Sequence, residues 1–226
     1  MHLVNKFAIG LVLILSLVIT AADAAWDGGI EGGAVVRDDG NATKLSLKLF
    51  NDARPLNHSI YADWYRTENG ENSYEVGYLP RYWFDSALYA FGEIRVRVDK
   101  PLAIDQETQA ALGAGNRFIS TDTRLLWAEL GVGQRNTEFS NQLSSDETFA
   151  LLRGGYRQTL TDFFRIETDL DFIRSDRATE SIAEAGIVLN TGTGAVKFSY
   201  RTRRLSRDGQ TTITDSESFV SFNYSI

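Results

Sequence analysis

A strand that is greasy on one side and ionic on the other constrains this chain more than any other feature. Between Phe163 and Ile173, the residues Phe164, Ile166, Thr168, Leu170 and Phe172 alternate with Arg165, Glu167, Asp169 and Asp171. Successive side chains of a β-strand point to opposite faces, so this segment needs an apolar surround on one side and a hydrogen-bonding space on the other. The pattern recurs. Leu45, Leu47 and Leu49 alternate with Lys44, Ser46 and Lys48, and Ile60, Ala62 and Trp64 with Tyr61, Asp63 and Tyr65. Further on, Ile94, Val96 and Val98 interleave with Glu93, Arg95 and Arg97, while Leu126, Ala128, Leu130 and Val132 interleave with Glu129 and Arg135. The last segment sets Val220, Phe222, Tyr224 and Ile226 against Phe219, Ser221, Asn223 and Ser225 and runs to the final residue.

Segments of this kind are divided by clusters of Asp, Asn, Gly, Ser and Thr, and prolines number only three. That spacing predicts an all-β chain of about twelve strands. They are expected near 27–37, 43–51, 57–67, 72–84, 87–98, 107–119, 123–138, 147–159, 163–174, 179–190, 194–204 and 211–226. An even count and two-faced strands predict a transmembrane antiparallel up-and-down β-barrel over residues 25–226, with both termini on the periplasmic side. Short periplasmic turns are expected at 85–86, 120–122, 161–162 and 191–193, and longer outer loops at 100–106, 140–146 and 205–210. An aromatic belt near the periplasmic interface is expected from Tyr82, Trp83, Phe84, Tyr89, Phe91, Phe163, Phe164, Phe222 and Tyr224. Leu130, Val132, Ile166 and Leu170 are predicted to face lipid, and Gln134 to face inward.

The ionic faces then line a lumen. Its predicted charge network comprises Glu93, Arg95, Arg97, Glu129, Arg135, Arg153, Arg157, Arg165, Glu167, Asp169, Asp171, Lys197 and Arg201, with Lys48, Asp63 and Glu75 on the same side of their strands. Charges of both signs at this density are expected to pair and to fill much of the bore. The competing reading is an exported periplasmic β-sandwich or lipocalin-like small-ligand carrier. It inverts every strand, placing the apolar face inside and the ionic face in water.

The opening residues supply the export route. His2 and Lys6 precede an apolar run from Phe7 to Ile19 that ends at Ala22-Asp23-Ala24. The run is shorter than a spanning helix needs and ends in small residues, so residues 1–24 are read as a cleaved signal peptide. The mature chain is expected to begin at Ala25; N-terminal sequencing of the envelope protein checks this, and a retained Met1 overturns it. Cysteine is absent, which excludes disulfides and thiolate metal sites in an oxidising compartment. The net charge of −7 comes with no clustered Lys/Arg run, so no nucleic-acid partner is expected.

Catalysis is not expected, and neither is a cofactor. His58 is the one histidine beyond the signal segment, and beside Asn57 and Ser59 it reads as a polar residue flanking a turn. Glu167, Asp169 and Asp171 share a face and could form a paired-carboxylate site, but Arg153, Arg157 and Arg165 beside them favour ion pairing. Gly40-Asn41 and Asp208-Gly209 are turn dipeptides. Asp38, Asp39 and Asp146 offer at most weak divalent-cation binding.

Several motifs, taken in order, carry a family resemblance. They are Glu31-Gly32-Gly33 followed by Gly40-Asn41-Ala42-Thr43, then Tyr82-Trp83-Phe84-Asp85 leading into Tyr89-Ala90-Phe91-Gly92-Glu93, then Leu112-Gly113-Ala114-Gly115 and Leu130-Gly131-Val132-Gly133. The chain resembles the salt-induced outer membrane protein family of YdiY type, whose function is unknown. The resemblance implies a Gram-negative outer-membrane barrel, with outer-membrane lipids around it and with periplasmic chaperones and the barrel assembly machinery as partners during biogenesis. Val220, Phe222, Tyr224 and Ile226 would form the assembly signal. Such barrels usually finish on Phe, and this chain departs from that with Ile226.

Overall fold

In a computed structural model the alternating segments form a ring of antiparallel strands. The structure describes residues 26–37, 40–141, 143–192, 194–207 and 211–225. The strands are β1 (Asp27–Arg37), β2 (Ala42–Asn51), β3 (Leu56–Thr67), β4 (Asn72–Trp83), β5 (Leu88–Asp99) and β6 (Ile104–Ser120), then β7 (Arg124–Phe139), β8 (Ser144–Thr161), β9 (Phe164–Ser175), β10 (Ala178–Asn190), β11 (Gly194–Arg207) and β12 (Ile213–Ser225). Each pairs with its sequence neighbour, and β1 closes on β12 with Ala34 opposite Val220 and Val35 opposite Phe219. Closure leaves no unpaired strand edge among the described residues, and the ladders run around the circumference apart from Leu79 and Pro80, which the β4–β5 register skips. The signal segment, Ala25, Asp38, Asp39, Asp208-Gly209 and Ile226 lie outside the described residues.

All twelve expected strands are present, and their limits move by at most a few residues. The loops are a correction. Strand β6 begins at Ile104, β8 at Ser144, and β11 continues to Arg207, so most of 100–106, 140–146 and 205–210 is strand. Residues such as Asp105, Gln106, Ser145 and Asp146 read as loop because they are polar, yet they continue the ladder beyond the apolar band. The connections at the two ends are consequently alike in length. We call the end carrying 52–55, 84–87 and 121–123 the turn end, and the opposite one the loop end. In the turn at 84–87, the Leu88 and Ala87 N–H groups donate to Asp85 Oδ1 at 2.7 Å, which holds this carboxyl below the usual aspartate range.

The outer wall is apolar: Leu112, Leu130, Val132, Leu170, Phe172, Phe198 and Phe222 are exposed. Ile166 shares the outward face of β9. Inside, Glu129 is 1% exposed and Gln109 wholly buried. This orientation of the faces excludes the carrier with an apolar interior. Gln134 is corrected. It lies on the same face of β7 as Leu130 and Val132, exposed and opposite Thr148, because residues an even number apart along a strand share a face.

The aromatic belt is also corrected in part. Tyr82, Phe84, Phe163, Phe222 and Tyr224 are exposed outside, with Phe164 half-buried, but Trp83, Tyr89 and Phe91 are buried in the lumen. They pack with Leu79, Phe149 and Ile173 in one apolar cluster. Glycines make room for such rings. Tyr61 stands opposite Gly77, Tyr89 opposite Gly115, Phe91 opposite Gly113, Trp127 opposite Gly155 and Phe149 opposite Gly133. At each of these glycines an added Cβ would overlap the ring across from it. Each of these five rings therefore lies along the wall, over its neighbouring strand, and does not project straight into the bore.

His58 is not at a turn. It lies within β3 on the outer face, its ring stacked on Tyr78 at 6.0 Å and its Nδ1 2.7 Å from the Tyr78 hydroxyl.

Candidate functional site: the ion-paired lumen

Because inward positions recur at every second residue, neighbouring strands bring charged side chains together in layers across the bore. In the layer nearer the loop end, Glu180 of β10 gathers three arginines. Arg203 of β11 lies at 2.6 Å, Arg135 of β7 at 3.4 Å and Arg97 of β5 at 3.8 Å. Each holds a second carboxylate: Asp99 pairs with Arg203 at 3.4 Å, Glu147 with Arg135 at 2.8 Å and Glu107 with Arg97 at 3.0 Å. Strands β5 and β11 stand on opposite sides of the ring, so the Asp99–Arg203 pair crosses the entire bore. Arg95 lies 3.8 Å from Glu75 and donates to Gln109 Oε1 at 2.5 Å.

A second layer lies toward the turn end. Glu129 accepts from Arg81 of β4 and from the Tyr89 hydroxyl, both at 3.0 Å, and Arg153 of β8 approaches to 3.7 Å. Arg153 also pairs with Glu93 of β5 and, at 3.5 Å, with Asp171 of β9. The Tyr61 hydroxyl donates to Glu93 at 3.1 Å. Around the wall, Glu167 receives Arg165 at 2.8 Å and both Arg157 and Lys197 at 3.9 Å. Lys197 reaches Glu184 at 2.6 Å, and Arg201 reaches Glu217 at 3.5 Å.

The structure thus brings together nearly all the charged residues singled out in the sequence. Asp169 shares the face, but no cation lies within 4.0 Å of it among the described residues. Sequence reasoning missed Glu180, Asp99, Arg203, Arg81, Glu107 and Glu184, although strand parity alone would have put each of them inside. Asp146 accepts from Asn136 at 2.6 Å on the outer face, and among the described residues no three acidic or histidine side chains are placed to hold a metal ion. Val220, Phe222 and Tyr224 all face outward on β12.

Beside the loop-end layer, a cavity of about 510 Å³ opens within the barrel, lined by residues including Lys44, Asp63, Glu75, Arg201, Glu217 and Phe219. Both signs of charge line it. Lys44 sits 5.0 Å from the centre of the Phe219 ring, and Asp63 accepts from Ser46.

These features define a class: a closed twelve-stranded antiparallel barrel, apolar outside and ion-paired within. The chain belongs to the family described as "Protein of unknown function, DUF481", whose model matches residues 38–226. No curated protein matches it. Among solved structures it is similar to the KdgM porin, at 14% identity and a TM-score of 0.55, over 88% of this chain and 99% of that one. It is also similar to the NanC porin, at 10% identity and a TM-score of 0.58, over 87% and 98%. A structure described as a bacterial polysaccharide outer membrane secretin matches at 6% identity and a TM-score of 0.51, over 90% and 99%. At these identities the likeness is one of fold.

Proposed function

We propose that this protein is an exported outer-membrane barrel of the Gram-negative envelope whose bore is a narrow passage obstructed by its own ion pairs, with no catalytic role. The bridge from Asp99 to Arg203 across the full width of the ring carries this reading. Eight strands give a lumen that side chains fill, and roughly sixteen leave an aqueous channel. Twelve strands fall between, so the lining decides. Paired charges in a confined, low-dielectric space resist separation, and each bridge occupies room that a solute needs. The apolar outer wall supports a lipid surround.

One similar structure is described as KdgM porin in complex with disordered oligogalacturonate, an acidic oligosaccharide. Here most lumen arginines are already matched by carboxylates, and both signs line the loop-end cavity. A long polyanion therefore finds no continuous basic track, and small solutes are the better fit.

Planar-bilayer recording tests the proposal. The unmodified protein is expected to show small conductance, well below that of a general porin. Arg203→Ser, which removes the bridge between β5 and β11, is expected to raise it. Large, steady openings of the unmodified protein that pass sugar-sized molecules would sink the obstructed-bore reading.

A further inference from the structure

The turn end of the lumen breaks the rule that its arginines are paired. Arg81, Arg95, Arg97, Arg135, Arg153, Arg165, Arg201 and Arg203 each have a carboxylate within 4.0 Å. Among the described residues, Arg54 and Arg117 have none, yet both lie against one ring. The Arg54 guanidinium carbon is 4.6 Å from the centre of the Trp83 indole and that of Arg117 is 4.2 Å from it.

Backbone contacts fix this convergence. The Trp83 N–H donates to Pro55 O at 2.8 Å, holding the turn that bears Arg54 against the end of β4. The Arg117 N–H donates to Ala87 O at 3.0 Å, tying β6 to the next turn. Two carboxylates stand near the pair, Asp52 on the Arg54 turn, which accepts from Asn57 Nδ2 and acts on Arg117, and Asp85 on the next turn, which faces Arg54, but neither comes within 4.0 Å of either guanidinium. Trp83 is 4% exposed, and its indole N–H is buried without a hydrogen-bond acceptor among the described residues.

Stacking on an aromatic face engages the plane of a guanidinium and leaves its edge of N–H donors free for a planar acceptor. Two like charges gathered on one ring repel each other, and carboxylates that stay beyond 4.0 Å offset this less than an anion in direct contact would.

We propose that Arg54 and Arg117, stacked on the Trp83 ring, form an oxyanion-binding site at the turn-end mouth of the lumen, taking the carboxylate or phosphate group of a small solute. Bidentate pairing of guanidinium with such a group supplies both strength and orientation. The site stands on the fold alone, so binding is measurable whether or not the bore conducts.

The test uses the whole protein refolded in detergent micelles, titrated with inorganic phosphate or with gluconate at constant ionic strength, and with chloride as the screening control. Tryptophan fluorescence and the thermal midpoint are read together. Phosphate or gluconate is expected to give a saturable fluorescence change and a higher midpoint, and chloride neither. A response to phosphate alone assigns the site to phosphate groups, and a response to gluconate alone to carboxylates. Arg54→Gln, on an exposed turn outside the barrel wall, is expected to weaken binding by about tenfold or more, as is Arg117→Gln. The double variant should abolish it, while Trp83→Phe should keep a rise in midpoint and lose the optical change. Arg66→Gln, near the loop end of β3, should bind like the unmodified protein. Absence of any saturable response, or an undiminished one in the double variant, overturns the proposal.

Discussion

Replacing Glu180 with alanine is expected to destabilise the barrel by about 3 kcal/mol or more, the usual result of breaking a buried ion pair by removing one partner. The Glu180 side chain is almost fully buried and lies within 4 Å of Arg97, Arg135 and Arg203, which come from three different strands. Without the carboxylate, three guanidiniums converge on a space that holds no counter-charge. Their second partners, Glu107, Glu147 and Asp99, limit the damage but cannot move to the vacated centre, because each is fixed to its own strand. Glu180→Gln retains an acceptor oxygen and is expected to lose less. Urea titration of the folded barrel in lipid, with both variants beside the unmodified protein, measures the order. An unchanged midpoint for Glu180→Ala would show that the three arginines do not depend on this carboxylate.

The same residue marks the limit of what the sequence made legible. Alternation along β9, from Phe164 to Asp171, was enough to orient that strand, and the recurrence of the pattern was enough to place the other eleven. Pairing between sequence neighbours then follows from a closed antiparallel ring. Contacts across the bore do not follow from it. Asp99 and Arg203 stand 104 positions apart, and they meet only because the ring places β5 opposite β11. Glu180 lies near the start of its strand, with polar Thr179 and Ser181 on the outward face and apolar Ala178 and Ile182 beside it on its own, so the apolar-out, ionic-in alternation is inverted there. The lumen rings were hidden for a different reason. Tyr82, Trp83 and Phe84 are all aromatic, so hydrophobicity does not report that the middle one points inward; parity with Leu79 and Arg81 does. The glycines opposite Phe91 and Phe149 were visible as Gly113 and Gly133, but their purpose depends on register between strands.

The outer wall makes the second large prediction, and the corrected position of Gln134 sharpens it. Leu130 and Gln134 lie on one face of one strand, both exposed, separated by a single outward residue, Val132. Leu130 stands between Ala114 on β6 and Leu152 on β8, within the apolar band. Gln134 stands opposite Thr148, and the next outward position, Asn136, is opposite Asp146. The apolar band of this side therefore ends between Val132 and Gln134, and the strands continue above it with polar outer faces. A charge in the hydrocarbon loses its water without gaining a partner, while one at the headgroup level keeps both water and phosphate within reach. Leu130→Arg is accordingly expected to cost about 2–4 kcal/mol in a bilayer, and Gln134→Arg about 0–1 kcal/mol. Leu170→Arg should resemble Leu130→Arg, with Val132→Arg milder because it lies at the rim of the band and Ile166→Arg milder because it lies next to the turn end of β9. Urea-dependent folding into lipid vesicles measures these differences, and detergent micelles, which adapt to the protein, should compress them. Equal tolerance of Arg at Leu130 and Gln134 in vesicles would mean that no hydrocarbon boundary crosses β7 between them.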